Sequence, residues 1–131
     1  MRFVLDTNTC IYALKLQGRV VDRLRDLSPD HLGITIVTVA ELWFGAHKSA
    51  RASAARREID AFLEPFAVLP FDLEAAEAYA RTRFVLERSG RPIGERDLLI
   101  ASIALARGLT VVTHNLFEFA RVPGLPTEDW L

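Results

Sequence analysis

Four short runs rich in branched and aromatic apolar residues, Arg2–Asp6, Leu32–Val37, Phe66–Leu69 and Leu109–Val112, are separated by stretches with helical patterning. Few architectures accept that alternation. Strands divided by helices pair in parallel through right-handed crossovers, so the expected fold is α/β, a mostly parallel sheet of four to five strands with helices on both faces.

The intervening stretches carry their own punctuation. Thr7-Asn8-Thr9 offers caps for a helix from Cys10 to Leu16, Val20 to Leu27 reads as a second helix, and Ser28-Pro29-Asp30 as a turn. Thr38 is placed to cap a helix carrying Glu41, and Ala50 to Leu63 forms a polar-faced helix that Pro65 ends. Asp72 caps a long helix reaching about Ser89, Gly90 stops it, and residues 90–94 form a loop. From Asp97 to Ala106 nearly every residue is apolar, so this helix is expected to be buried on most sides and closed by Gly108. The tail leads to a fifth, edge strand near Trp130. A length of 131 residues suits one core, and a single domain over 1–131 is expected.

With half its residues hydrophobic and a quarter charged, the chain has the balance of a folded soluble protein. No apolar run approaches the ~20 residues of a membrane span, and the start has no signal-peptide core, so a cytoplasmic protein without membrane contact is expected. The single cysteine, Cys10, lies in an apolar run and reads as core rather than as a nucleophile. A net charge of −1 argues against a generic basic nucleic-acid binder but leaves room for a local basic rim. Arg51, Arg56 and Arg57 crowd one stretch and Arg81, Arg83, Arg88 and Arg91 another; each group reads equally well as a phosphate-binding rim or a solvated helix face.

Four acids, Asp6, Glu41, Asp97 and Glu118, stand where apolar segments reach their polar ends. Singly each has an ordinary explanation as a cap, a dipole partner, an arginine partner or a surface residue. Parallel sheets, however, bind ligands at the carboxyl ends of their strands. Asp6 ends the first strand, Glu41 follows the second, Glu118 follows the fourth, and Asp97 lies in the first turn of the apolar helix. Four carboxylates brought to one edge repel and raise one another's pKa, which calls for a cation. An oxygen-only set suits Mg²⁺ or Mn²⁺. His31, His47 and His114 lie at no ligand spacing beside it, which argues against zinc. An aspartyl-phosphate site at Asp6 would want a lysine at a late strand end, and the lysines, Lys15 and Lys48, are both early.

Taken in order, Asp6-Thr7-Asn8, Val39-Ala40-Glu41-Leu42, Ile93-Gly94-Glu95-Arg96-Asp97-Leu98-Leu99-Ile100-Ala101, Thr113-His114-Asn115 with Glu118-Phe119, and the tail Arg121 to Leu125 through Asp129-Trp130 resemble a PIN-domain protein of the VapC toxin family. The resemblance spans essentially the whole chain. It implies a three-layer α/β/α PIN-like domain and a ribonuclease toxin of a type II toxin-antitoxin pair, with Mg²⁺ or Mn²⁺ on Asp6, Glu41, Asp97 and Glu118. Thr7, Asn8, Thr113 and Asn115 would support those acids or position water. Arg96, where relatives often place a small, amide or aromatic residue, would join Arg51, Arg56 and Arg57 at the substrate rim. The resemblance further implies an RNA substrate, transfer RNA being one candidate, a homodimer, and a VapB-type antitoxin docking along helices near Glu41, where Trp43 and Phe44 either anchor a partner or fill the core. The alternative is a PIN-like module that binds RNA or a partner without cutting, whose sequence mark would be a missing acid.

Overall fold

A computed structural model describes residues 1–131. The chain runs β1 (Phe3–Leu5), α1 (Thr7–Leu14), α2 (Val20–Arg25), a 3-10 turn at Pro29–His31, β2 (Leu32–Thr35), α3 (Ile36–Lys48), α4 (Ala52–Leu63), β3 (Ala67–Leu69), α5 (Leu73–Arg88), α6 (Glu95–Arg107), β4 (Thr110–Val112), α7 (Leu116–Phe119) and β5 (Thr127–Glu128). The sheet has five strands in the order β3-β2-β1-β4-β5, and every pairing is parallel. None of the helices is long and apolar enough to cross a membrane.

The strands are apolar throughout because both faces of the sheet are covered. Side chains alternate across the sheet with period two, so Phe3 and Leu5 enter a cluster with Cys10, Val39 and Leu42, while Val4 enters the opposite one with Ile100, Ile103 and Phe119. Helices α1 to α4 therefore supply one outer layer and α5 to α7 the other. In α6, Leu98, Ile100, Ala101, Ser102, Ile103 and Ala104 are all buried, the near-complete enclosure that its composition demands, and Ser102 satisfies its hydroxyl on the Leu98 carbonyl at 2.6 Å.

The starts of α1 and α3 move from their expected places for one physical reason. A cap residue reaches forward to an amide N–H three positions on. Asp6, rather than Thr7, Asn8 or Thr9, caps α1 by accepting from the Thr9 amide at 2.9 Å. Thr35, rather than Thr38, caps α3 by accepting from the Thr38 amide at 3.2 Å, which ends β2 at Thr35 instead of Val37. The fifth strand is shorter and earlier than expected, at Thr127–Glu128, and Trp130 instead plugs the core edge-on against Phe3, with ring centroids 5.1 Å apart. Helix α7 was not legible from the sequence, being only four residues long.

Gly108 ends α6 in the left-handed region at φ 66°, with its N–H returned to the carbonyls of the last turn. No atom lies within 4 Å of where a Cβ would stand, so the cost of a side chain there is purely conformational. Gly108→Ala is expected to lower stability by about 1 kcal/mol in urea unfolding. A neutral result would mean that the helix end tolerates a different cap.

Candidate active site

The carboxyl edge of the sheet is built by local rules before it is a site. Asp6 follows β1 directly, and its amide donates to the Val112 carbonyl of β4 at 3.1 Å, which locks its backbone between the two central strands. It is 4% exposed, and its carboxylate caps α1 through Thr9. Burial pushes its pKa above the ordinary aspartate value, hydrogen bonds from Thr113 and Thr9 pull it back, and the Glu41 charge adds to the rise. The ordinary explanation for Asp6, a helix cap, is thus true as well; one carboxylate serves both helix and cluster.

Glu41 projects from α3 and is held at both oxygens. Oε1 accepts from the Thr7 hydroxyl at 2.7 Å, and Oε2 accepts from Arg96 Nη1 at 3.0 Å. Thr7 in turn lies 3.1 Å from the Thr38 hydroxyl, which the Thr35 hydroxyl reaches at 3.5 Å, so the cap of α3, two further threonines and this glutamate form one polar thread.

Asp97, in the first turn of α6, is the most perturbed of the four. Desolvation, a hydrogen bond shared with Glu118, and the charges of Glu118, Asp6 and Glu41 push its pKa up to about 7. Glu118 moves the other way. The proton on Asp97, the Gly94 amide at 3.3 Å, Asn115 Nδ2 at 2.9 Å and the nearby Arg121 charge hold it ionised below the usual glutamate range. The neighbouring Glu118 carboxylate favours a proton on Asp97, and Asp97 in turn favours the ionised form of Glu118. Asn115 Nδ2 also reaches Asp97 Oδ2 at 3.4 Å and so bridges the pair. The Asn115-x-x-Glu118 spacing looks like a helix capping box. The asparagine amide nevertheless turns to the carboxylates and leaves the start of α7 without a side-chain cap.

Thus Asp6, Glu41, Asp97 and Glu118 lie near enough to raise Asp97 jointly, and Thr7, Thr113 and Asn115 contact them. Asn8 is exposed and makes no side-chain hydrogen bond, so it is not drawn in. Thr9, Thr38, Gly94 and Arg121 are, and two of them had a readable signal: Thr9 stands three residues after Asp6, and Thr38 three residues before Glu41.

The arginine rim resolves unevenly. Arg96 sits at the cluster on Glu41. Arg56 is occupied elsewhere, its guanidinium 3.8 Å over the Trp43 ring and its Nε paired with Asp60 at 3.0 Å. Arg51 and Arg57 are exposed and make no side-chain contact with the acids. Helix α4 presents Ala55, Glu58 and Ile59 to the groove that ends at Glu41. Trp43, with its indole N–H on Asp60 at 2.9 Å, packs within the molecule, whereas Phe44 is 59% exposed.

Fold and site together define a class: an α/β/α domain whose parallel sheet gathers four carboxylates at its carboxyl edge. The family model described as the PIN domain matches residues 3–125. The chain is 38% identical over 130 residues to the tRNA(fMet)-specific endonuclease VapC of Salmonella typhimurium, and 41% identical over 130 residues to that of Shigella flexneri; in both cases 99% of this chain and 98% of the relative are covered. The crystal structure of DNA-bound VapBC from Salmonella typhimurium superposes with a TM-score of 0.95 at 38% identity, covering 100% of this chain and 99% of that one. The chain belongs to the PIN-domain family, among the VapC ribonucleases.

Proposed function

We propose that this protein is the toxin of a type II toxin-antitoxin pair and cuts RNA by divalent-cation-dependent hydrolysis. The observation that carries the reading is the meeting of four acids at the carboxyl edge of the sheet, where Asn115 bridges Asp97 and Glu118, Thr7 and Arg96 hold Glu41, and burial together with the neighbouring acids raises the Asp97 carboxyl to about 7. A protein keeps such self-repelling groups together where a cation or a phosphate reaction is to be met. The relatives' shared name points to transfer RNA, and to the initiator species in particular, as the substrate class.

The donor set fits the ion. All the candidate ligands are oxygens, and no three His, Cys, Asp or Glu side chains are gathered closely enough to enclose an ion by themselves. That arrangement suits a hard cation that uses one or two carboxylates and keeps its waters, as Mg²⁺ and Mn²⁺ do. Asp6 and Asp97 would hold it. When bound, the ion supplies Lewis-acid activation of water and neutralises charge on the phosphate. Glu118, kept ionised by Gly94 and Asn115, and Glu41, fixed by Thr7, orient the attacking water. Thr113 and Thr9 hold the Asp6 carboxylate in register, and Arg96 supplies the positive charge nearest the cluster for a phosphate. Water attack places the incoming oxygen on phosphorus and the departing pair of electrons on the ribose 3′-oxygen, leaving a 5′-phosphate and a 3′-hydroxyl.

A VapB-type antitoxin is the proposed regulator and a second copy of the chain the proposed partner. The groove between α1, α3 and α4, lined by Ile11, Leu14, Leu42, Ala55 and Ile59 and ending at Glu41, fits an apolar antitoxin segment laid against the site. A module that binds without cutting is disfavoured because all four acidic positions are filled.

The test is incubation of antitoxin-free protein with total cellular RNA, transfer RNA included, in Mg²⁺, in Mn²⁺ and in EDTA. Discrete fragments with 5′-phosphate and 3′-hydroxyl ends are expected with metal and none with chelator. Fragments ending in a 2′,3′-cyclic phosphate, or cutting that persists in EDTA, would overturn the hydrolytic mechanism.

A further inference from the structure

Beside the acids stands an aromatic group that the proposed reaction leaves unused. Phe117 lies in α7 between Asn115 and Glu118, two of the groups that organise the cluster, and it is 75% exposed. Its neighbour Phe119, two positions on, is fully buried, so α7 has an inward face available and Phe117 is turned away from it. One face of the Phe117 ring is covered by the Arg121 guanidinium, 4.6 Å from the ring centroid. That guanidinium is itself anchored, donating from Nη1 to the Pro92 carbonyl at 2.8 Å, while its Nε is buried with no partner. The arginine is therefore held over the ring at the expense of a full set of hydrogen bonds. The Arg121 amide donates to the Glu118 carbonyl at 3.0 Å, and Pro92, which holds its guanidinium, lies two residues before Gly94, whose amide meets the Glu118 carboxylate at 3.3 Å, which places the stacked pair at the wall of the cluster.

An exposed aromatic ring backed by a fixed guanidinium, next to a phosphodiester-cutting centre, has the chemistry of a base-stacking platform. We infer that Phe117, supported by Arg121, stacks one unpaired nucleobase of the RNA next to the scissile phosphate. Successive helix residues point about 100° apart, so a base on Phe117 flanks the nucleotide whose phosphate faces Glu118 rather than competing with it. This rests on the ribonuclease reading above. Phe117 is a positioning residue that acts through the neighbouring base, and it selects substrates in which that base is free of its stem.

The experiment uses full-length protein carrying Asp97→Asn, with Mg²⁺ present, and a tRNA(fMet) transcript bearing 2-aminopurine at each single-stranded position in turn. One position is expected to be quenched on binding, and Phe117→Ala to abolish that quenching and weaken binding roughly tenfold. Phe117→Trp should preserve both, and Phe117→Leu, equally apolar but without a π-face, should not. In protein with an intact acid cluster, Phe117→Ala should raise KM with kcat little changed, because stacking holds substrate and transition state alike. Its melting temperature should stay within a degree or so, since the ring is mostly in water. Unchanged affinity and quenching in Phe117→Ala, with cleavage by the parent protein intact, would overturn the platform and leave the ribonuclease reading standing. Unchanged RNA affinity together with loss of self-association would overturn it in favour of a protein contact. Failure of the parent protein to cut or bind any RNA in the pool would overturn the ribonuclease reading and the platform with it.

Discussion

Asn in place of Asp97 should reduce RNA cleavage on the order of a thousandfold, and the same substitution should make the metal-free protein more stable at pH 8. The two effects have one origin. In the folded protein the Asp97 carboxyl titrates at about 7, against an ordinary value of 3.8, because burial and three acidic neighbours oppose its charge. Between those two values the folded chain binds the proton and the unfolded chain does not, so stability falls as pH rises from about 4 to 7 and stays low above that. Asp97 keeps part of its surface open to water, which screens the repulsion and limits the penalty to about 1–2 kcal/mol. An amide of the same shape carries no charge to repel. Thermal melts at pH 5 and pH 8, with EDTA and with Mn²⁺, should therefore show three things. Asp97→Asn gains on its parent at pH 8, the two converge at low pH, and the parent gains more from Mn²⁺. Parallel curves at all pH values would mean that Asp97 is not under the strain described, and retained cleavage would remove it from the reaction.

Ile103→Ala should be the most damaging single truncation away from the site, lowering stability by about 3 kcal/mol and the melting temperature by about 10 °C. Ile103 has no exposed surface and lies on α6, the helix enclosed between the sheet and α5. Three carbons vanish from a place where neighbours on both sides are already fixed by their own packing, so the void closes only in part. Ile103→Val, which removes one carbon, should cost about 1 kcal/mol by comparison. Urea unfolding of the pair checks both values. A loss below about 1 kcal/mol for the alanine variant would mean that α6 shifts to fill the space, and Asp97 at its start would then be displaced as well.

The architecture was legible because each element announces itself by its apolar spacing. The runs at residues 3–5, 32–35, 67–69 and 110–112 all became strands, and the enclosure of α6 followed from the near absence of polar residues between Leu98 and Ala106. The acids were legible for a related reason, since a carboxylate at the end of an apolar segment is conspicuous. Partnerships between distant residues were not. Arg96 and Glu41 are 55 positions apart, and nothing in either local sequence says that they meet. Nor could the stretch around Arg56 reveal that its charge is already engaged by Trp43 and Asp60, because that contact depends on how α3 and α4 cross. The cap errors are of a third kind. Asp6 and Thr9, like Thr35 and Thr38, are all good cap residues, and only the backbone decides which of each pair reaches forward.

The strand order has a consequence for the chain as it is being made. The earliest strand occupies the middle of the sheet, with β2 on one side and β4 on the other, and the four acids come from positions 6, 41, 97 and 118. Asp6 is pinned by the Val112 carbonyl, and Asp97 is poised by Glu118. A growing polypeptide therefore has no partial version of the cluster to offer. Until residues beyond about 118 have left the ribosome and β4 has docked against β1, the nascent chain holds only scattered, ordinary carboxylates. In a protein able to cut RNA, the four acids thus come together only after β4 has docked beside β1.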